Sequence, residues 1–322
     1  MKTDPAPAYS PIIVLIFGVI GISSGSILVR FAQGQDMPSI VIAAWRLTLA
    51  SAILLPLALT RRRSELKQMS GSSWGLAILS GFMLSLHFAC WISSLAYTSV
   101  ASSTVLVTTA PLWVGLAAPC LLGEQLSRPL KIGIALAMLG SVLIGVADVV
   151  SLADGRLQFS LTQFTNQSNP MLGNGLALIG AITASAYLII GRRLRFGMSL
   201  LSYTAIVYST AACFLILMAL VGGHNLFGYS AVAYLIMVLM ALFPQLIGHS
   251  SYNWALGYLS AASVSVVVIA EPIGATLLAL LIFQEIPNGI TIVGSILLLA
   301  GIVYANRPHR QPAIAVTCTP TR

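Results

Sequence analysis

Long apolar runs separated by short polar turns dominate this chain, and they leave it few choices of fold. Each run is long enough to cross the hydrocarbon core of a bilayer as an α-helix, which needs about 20 residues. The ten runs cover residues 11–31, 38–59, 74–97, 100–122, 129–150, 172–193, 199–221, 230–257, 260–283 and 287–306. The sequence therefore predicts an all-α polytopic membrane protein with ten transmembrane helices.

Composition excludes an ordinary soluble protein. Of the 322 residues, 57% are hydrophobic and 7% are charged, whereas a soluble domain carries about 25% charged residues. Ten spans use about 200 residues, which leaves no room for a separate soluble domain of ordinary size. The first run is too long for the apolar part of a cleavable signal and has no small-residue cleavage site, so it is predicted to be the first span.

The sequence contains no pattern that indicates catalysis or a cofactor. The four cysteines have neither disulfide nor metal-site spacing, so no metal and no other cofactor is expected. A Ser–His–Asp set, an HExxH motif, paired aspartates and a phosphate-binding glycine loop are all missing, which disfavours a membrane enzyme. The net charge of +8 follows from loop topology, so no nucleic-acid partner is expected.

The basic residues indicate how the chain is oriented. If the N-terminus is cytoplasmic, most of the 16 Lys and Arg residues fall on the cytoplasmic side, whereas the other side has only Arg30 and Arg156 and one span contains Arg46. This asymmetry follows the positive-inside rule. It predicts cytoplasmic tails at 1–10 and 307–322 and an external loop at 151–171.

An internal duplication is the most informative feature beyond hydropathy. Residues 95–124 align without gaps to residues 256–285 at a constant offset of 161. The identical pairs include Tyr97 and Tyr258, Pro111 and Pro272, Glu124 and Glu285, Gly133 and Gly294, and Gly140 and Gly301. Chance would not easily place tyrosine, proline and glutamate in one register.

The duplication predicts two five-helix repeats, at 11–150 and 172–306. Because each repeat has an odd number of spans, the second must enter the membrane in the opposite orientation to the first. Inverted repeats of this kind are typical of secondary transporters, since two inverted halves have nearly equivalent conformations that face either side.

The run AAWRLTLASAILLP (43–56), the pair Glu271–Pro272 and the glutamates that close spans four and nine resemble the drug/metabolite transporter (DMT) superfamily, in particular its EamA-type ten-helix members. The resemblance covers about residues 12–305. It implies a carrier in the inner (plasma) membrane that exports amino acids or other small metabolites by alternating access. It also implies proton exchange or the solute gradient as the driving force, and a monomer or a homodimer in the lipid bilayer.

Two ionisable residues lie within predicted spans, where charge is costly and usually functional. Arg46 lies in span two and Glu271 near the middle of span nine. Two interpretations remain open: the pair holds the helix bundle together, or Arg46 and Glu271 bind the carboxylate and the amine of a zwitterionic solute. Glu271 is also the first candidate for proton coupling.

Aromatic and imidazole side chains form a second group of candidates. His87 and Trp91 share a face of span three because they are four residues apart, and His249, Tyr252 and Asn253 share a face of span eight. Since spans three and eight are repeat equivalents, the two faces are expected to oppose each other as a solute pocket. His87 is a further candidate for proton coupling because histidine titrates near neutral pH.

Several alternatives remain open. The aromatic residues also suit a drug or dye efflux carrier, and a facilitator without ion coupling would use the same fold. A pore has less need of inverted halves, and a scaffold would avoid buried charge. Packing is expected for the small polar residues of spans four and nine, and a structural loop role for Glu124 and Glu285. The small polar residues are Ser102, Ser103, Thr104, Thr108, Thr109, Ser260, Ser263 and Ser265.

Overall fold

The computed structural model describes most of the chain. The described residues are 9–98, 103, 106–124, 126–146, 150–153, 156–159, 169–283 and 289–305. Most of both predicted tails, much of the predicted external loop, and Ser102, Thr104 and Glu285 lie outside these residues.

The first half consists of helices that follow the predicted spans closely. They are α1 (Pro11–Ser23), α2 (Gly25–Gln33), α3 (Ser39–Arg61), the short α4 (Arg63–Gln68), α5 (Gly71–Ser94), α6 (Ala110–Leu122) and α7 (Arg128–Val146). After α7, strands β1 (Val150–Ala153) and β2 (Arg156–Phe159) pair antiparallel, with Val150 opposite Phe159. The sequence predicted only a polar loop here, so this hairpin is an addition to the all-α architecture.

The second half repeats this order. Its helices are α8 (Pro170–Arg195), α9 (Leu200–Val221), α10 (Ala231–Met240), a π-helix (Ala241–His249), α11 (Ser250–Ala255), α12 (Ala261–Val268), α13 (Glu271–Phe283) and α14 (Gly289–Ala305). Serine side chains accept hydrogen bonds from backbone N–H groups at the starts of α9, α10 and α12, as N-caps do.

Within the described residues the helices fall into ten consecutive groups, one for each predicted span. Six stretches are long and apolar enough to cross a membrane unbroken: Pro11–Gln33, Ser39–Arg61, Gly71–Ser94, Met171–Arg195, Leu200–Val221 and Ala231–Ala255. Their outward faces carry large exposed side chains such as Phe17, at 63% exposure. Such apolar faces fit lipid rather than water.

The helix boundaries confirm the two repeats. Helices α3 and α9 begin at Ser39 and Leu200, and α6 and α13 begin at Ala110 and Glu271, so each pair is separated by the offset of 161 found in the sequence. The same offset separates the starts of α7 and α14.

The contact between α7 and α14, the last helices of the two halves, confirms that the halves are inverted. A Cβ atom added at Gly133 would lie 2.6 Å from the carbonyl oxygen of Gly301, and one added at Gly140 would lie 2.5 Å from that of Gly294. Residue numbers rise along one helix as they fall along the other, so the two equivalent helices run antiparallel. Glycine allows such close approach of helix backbones.

A second pair of contacts follows the same symmetry. Helix α5 packs against α8, and the equivalent α11 packs against α1. Trp91 of α5 contacts Gly180, and Tyr252, which lies 161 residues after Trp91, contacts Gly18. Each half therefore inserts one aromatic side chain against the first helix of the other half.

Spans four and nine are broken at equivalent positions. Helix α6 begins at Ala110 after a turn at 108–109, and α13 begins at Glu271 after a turn at 269–270. Pro111 and Pro272 come next, and proline removes a backbone N–H and clashes with the preceding turn of a helix. Interrupted helices of this kind place helix N-termini inside transporter bundles.

Span eight contains a different irregularity. The π-helix between α10 and α11 includes Pro244, which lacks the N–H of a regular ladder. Widened turns are frequent at functional sites. This one brings Gln245 and His249 to the interior, where they are 0% and 8% exposed.

Candidate functional site

A cavity with an empty volume of about 640 Å³ lies between the two halves. Its lining is mostly apolar and aromatic, as is common for small-molecule sites. The lining residues are Ile22, His87, Trp91, Val107, Thr108, Ala110, Ala184, Tyr187, Leu188, His249, Tyr252, Ser265, Val268 and Glu271. Five of the seven residues singled out from the sequence for solute binding are among them: His87, Trp91, His249, Tyr252 and Glu271.

Aromatic and imidazole rings form one continuous wall of the cavity. The rings of His87 and Trp91 are parallel to within 1°, with centroids 6.2 Å apart, so the face predicted for this pair exists. His249 lies 6.3 Å from His87 and 6.0 Å from Tyr252, again between centroids. The predicted faces of spans three and eight therefore oppose each other.

His87 is fixed by a backbone contact from the other half. Its Nδ1 lies 2.9 Å from the carbonyl oxygen of Gly180. A carbonyl only accepts, so Nδ1 carries the proton in this hydrogen bond, and Nε2 is the acceptor of the neutral ring.

Three lining residues have a polar atom without a hydrogen-bond partner in the part of the chain that the structure describes. They are Trp91 at Nε1, Tyr252 at its hydroxyl group and His249 at Nδ1. All three side chains are at least nine-tenths buried. Buried polar groups are normally hydrogen-bonded, so unsatisfied ones at a cavity wall indicate where a ligand can bind.

Glu271 is the acidic residue of this lining, and the break in span nine explains its position. It is the first residue of α13, where a carboxylate is stabilised by the positive end of the helix. Ser23 of α1 donates a hydrogen bond of 3.1 Å to the Glu271 carbonyl oxygen. Glu271 is 9% exposed and belongs to the lining of the cavity.

Arg46 does not line the cavity. It is completely buried, its Nε donates a 2.7 Å hydrogen bond to Oε1 of Gln245, and its guanidinium carbon lies 4.2 Å from the centre of the Phe88 ring. No ion pair joins Arg46 to Glu271 in the structure. In this conformation Arg46 and Glu271 therefore form no direct ion pair and do not line the cavity together, although their charges attract each other.

Asn253 also lies behind the wall rather than in it. The Tyr187 hydroxyl donates a 2.5 Å hydrogen bond to Asn253 Oδ1, and Asn253 Nδ2 donates one of 3.1 Å to the Tyr208 hydroxyl. Asn253 thus positions Tyr187, which lines the cavity and was not singled out from the sequence. In an apolar span a tyrosine is usually interpreted as a packing residue. Only the knowledge that span six packs beside span three could have identified Tyr187 as a cavity residue.

One ion pair and its backbone contacts join the two halves at one end of the bundle. Arg192 Nε donates a 2.8 Å hydrogen bond to Glu124 Oε1, and Arg192 Nη1 donates one of the same length to the Leu256 carbonyl oxygen. The backbone N–H of Ala261 donates to Glu124 Oε2 at 3.3 Å. We call these four residues the clasp. It gives Glu124 a structural role, as expected from its place beside a loop.

The described side chains do not form a cluster of metal ligands. Among the described residues, His, Cys, Asp and Glu do not gather in groups of three or more that could hold an ion.

Comparison with known proteins agrees with this architecture. The model of the EamA-like transporter family matches residues 9–146 and again residues 171–307, one match for each repeat. An uncharacterized transporter of Archaeoglobus fulgidus is 24% identical over 86% of this chain and 91% of its own length. An uncharacterized transporter of Clostridium kluyveri is 23% identical over 79% of this chain and 79% of its own length.

A protein of known crystal structure has the same fold. It superposes with a TM-score of 0.71 at 18% identity, over 91% of this chain and 97% of its own length. The two matched repeats, the inverted helix pairs and the central cavity lead to one assignment: this chain belongs to the EamA-like transporter family of the drug/metabolite transporter superfamily, and it is a multi-pass membrane transporter.

Proposed function

We propose that this transporter carries small solutes with an amino group and a carboxylate, that is, amino acids or closely related metabolites. One observation carries the proposal. Trp91 and Tyr252, at equivalent positions of the two repeats, each present an unpartnered hydrogen-bond donor beside the same cavity, and Glu271 lies in the same lining.

These groups complement a zwitterion. The Trp91 Nε1–H and the Tyr252 O–H donate to the carboxylate of the solute, which thereby contacts both halves at once. The Glu271 carboxylate accepts from the solute ammonium group. The apolar remainder of the solute packs against the rings of His87 and His249 and against Leu188.

Alternating access follows from contacts that join the halves. Rocking about the glycine contact between α7 and α14 would move the two aromatic donors relative to each other and open one end of the cavity. The clasp holds one end closed, since Glu124 belongs to the first half and Arg192 to the second. In this proposal, which the charge asymmetry of the loops supports, this end faces the cytoplasm of a cell bounded by an inner membrane, and both termini lie on that side.

Export driven by the proton gradient is part of this proposal. Glu271 is placed to exchange a proton for the solute ammonium group, because both compete for one carboxylate. If inward-moving protons displace the solute outward, net export follows.

The test uses purified protein in liposomes. Uptake of labelled amino acids is measured with and without an imposed pH gradient, for the wild type and for Glu271→Gln. We expect saturable uptake that responds to the gradient in the wild type, and exchange without pH response in Glu271→Gln. Full proton coupling in that variant would contradict the role of Glu271, and saturable uptake that ignores the gradient in the wild type would identify a facilitator.

A second candidate, efflux of aromatic cations such as dyes, is favoured by the ring wall. The parallel His87 and Trp91 rings suit a flat aromatic solute, and Glu271 suits a positive charge. Competition separates the two candidates. An aromatic cation without a carboxylate that blocks uptake more strongly than any amino acid would favour efflux of cations.

A further inference from the structure

Behind the cavity wall lies a buried cation with unused hydrogen-bond donors. Arg46 is 0% exposed, and its Nε bonds to Gln245. Its Nη1 and Nη2 have no hydrogen-bond partner among the residues that the structure describes. A buried cation whose N–H groups lack acceptors is unfavourable, because these groups lose their hydration. Glu271 attracts the guanidinium electrostatically but forms no ion pair with it among the described residues.

Gln245 adds further donors at the same place. Its Oε1 accepts from Arg46 Nε, which fixes the orientation of the amide. The amide nitrogen Nε2 therefore keeps both of its N–H groups. It interacts with the nearby Tyr208 hydroxyl, but it is buried without a hydrogen bond of good geometry in the described structure. Donors without an acceptor thus accumulate at one buried point, and a single anion would satisfy them.

Packing does not explain these two residues. At the offset of 161, Arg46 corresponds to Val207 and Gln245 to Leu84, and both of these are completely buried apolar side chains. The scaffold therefore accommodates apolar residues at the same places in the other half. The Phe88 ring, 4.2 Å from the guanidinium carbon, attracts a cation but offers no strong hydrogen-bond acceptor.

The position is adjacent to the cavity. The Phe88 ring also contacts the His249 ring, at 5.1 Å between centroids, and His249 lines the cavity. Phe88 and His249 are themselves equivalent at the offset of 161. This pair of rings lies between the Arg46 guanidinium and the cavity wall, where a movement of the halves would displace it.

We propose that Arg46 and Gln245 form a binding site for a small monovalent anion, reached from the cavity past the Phe88–His249 pair. The guanidinium N–H groups and the Gln245 amide donate to the anion, which supplies an acceptor and a counter-charge in direct contact with the guanidinium. Two sources have this chemistry: a free halide ion, or the carboxylate of the transported solute at a step of the transport cycle in which it has left Trp91 and Tyr252. The second alternative rests on the proposed function, and the first does not.

Thermal unfolding of the purified full chain in detergent tests the site. Sodium chloride replaces sodium isethionate at constant ionic strength, because the sulfonate group of isethionate is bulkier than a chloride ion or a carboxylate group. In separate titrations, sodium phenylacetate is compared with phenylacetamide, its uncharged analogue. We expect chloride, phenylacetate or both to raise Tm saturably in the wild type, and phenylacetamide to have no such effect.

Variants locate the site. Arg46→Gln is expected to abolish the rise in Tm, and Gln245→Leu to weaken the apparent Kd about 10-fold. Arg30→Gln is the matched control, because Arg30 is an exposed arginine at the end of α2. If Arg46→Gln does not fold, the wild-type titrations and Gln245→Leu still decide the question.

Each outcome has one meaning. A response to chloride alone identifies a free ion, and a response to phenylacetate alone identifies the carboxylate of a solute. No response of the wild type to either anion, or a response that persists in Arg46→Gln, overturns the proposal. Anion binding that survives while no amino acid is transported would contradict the proposed function and leave the anion site standing.

Discussion

In the first half of the molecule α3 runs from Ser39 to Arg61, and in the second half its equivalent α9 runs from Leu200 to Val221. The breaks that precede Pro111 and Pro272 correspond in the same way. The residues that fix these features are small residues, caps and prolines, and they determine the path of the backbone. The scaffold is therefore nearly the same in both halves.

The polar side chains inside the bundle are not repeated. Glu271 corresponds to Ala110, and Asn253 corresponds to Ile92, at the offset of 161. Arg46 and Gln245 likewise correspond to apolar residues at this offset. Backbone symmetry serves the movement between two states, because the halves must exchange conformations. A solute has no such symmetry, so its ligands are needed only once. The Trp91–Tyr252 pair differs, because both halves present a donor there, and a few hydroxyl positions such as Ser24 and Ser185 are also repeated.

The largest expected effect on transport comes from replacing a polar residue that is present in only one half by the residue at the equivalent position of the other half. Glu271→Ala converts the second half to the residue of the first and removes the acceptor for the solute ammonium group. A lost buried charge partner costs about 2–5 kcal/mol, so kcat/KM for uptake should fall about 30- to 5,000-fold. Ala110→Ser is the comparison at the equivalent position. Ala110 also lines the cavity, but the change removes no charge, so the loss should be much smaller than that of Glu271→Ala. Equal losses in both variants would show that the chemistry is shared between the halves.

Symmetric scaffold positions should respond equally. Gly140→Ala and Gly301→Ala, at equivalent sites, each place a Cβ 2.5 Å from backbone atoms of the facing helix. Overpacking of this kind costs about 2–3 kcal/mol, seen as a lower Tm for the detergent-purified protein. Gly75→Ala is the control, because nothing lies within 4 Å of its added Cβ. Loss of stability in only one of the two variants would mean that the contact is not symmetric.

The sequence predicted the scaffold far better than the site, for a physical reason. Span number and the two repeats follow from the length of the apolar runs and from one constant register, both of which are read directly from the sequence. The opposed faces of His87 and His249 also followed, because spans three and eight are equivalents. These features can be predicted without knowing the direction in which each side chain points in the folded bundle.

The positions of Arg46 and Asn253 depended on long-range packing. Each is polar and lies in a span, so the sequence indicates an interior position but not which side of the cavity wall. The wall is set by partners distant in the chain, such as Gln245 for Arg46 and Tyr187 for Asn253. The π-helix adds to the difficulty, because a widened turn shifts every later side chain around the helix axis.

A smaller effect is expected where the halves share chemistry. Trp91→Phe and Tyr252→Phe each remove one donor and keep an aromatic ring, so each should raise KM about 10-fold by removing one hydrogen bond to a charged group. Trp45→Phe is the control, because its Nε1 donates to the Leu226 carbonyl oxygen outside the cavity. If only one of the two cavity variants changes KM, the solute does not bridge the halves, and that donor belongs to packing.

Variants of the clasp should give the smallest effect on stability. They test the comparison of the two halves at one end of the bundle. Glu124 and Arg192 are 20% and 12% exposed, so water weakens their attraction and the pair contributes about 0.5–1 kcal/mol. The position equivalent to Arg192 is Phe31, in the first half. Because phenylalanine carries no charge, this ion pair is not repeated at that site.

Glu124→Gln and Arg192→Gln should each lower Tm by about 1–3 °C. The double variant should lose less than the sum of the single losses, because the two residues act through one contact. The measurement is a double-mutant cycle of Tm, with Arg30→Gln as a control for removing a charge at a helix end. Additive losses would mean that Glu124 acts through the Ala261 backbone and Arg192 through Leu256, each holding its own helix. A non-additive cycle would identify the ion pair itself as the contact that must open before the halves can separate at this end.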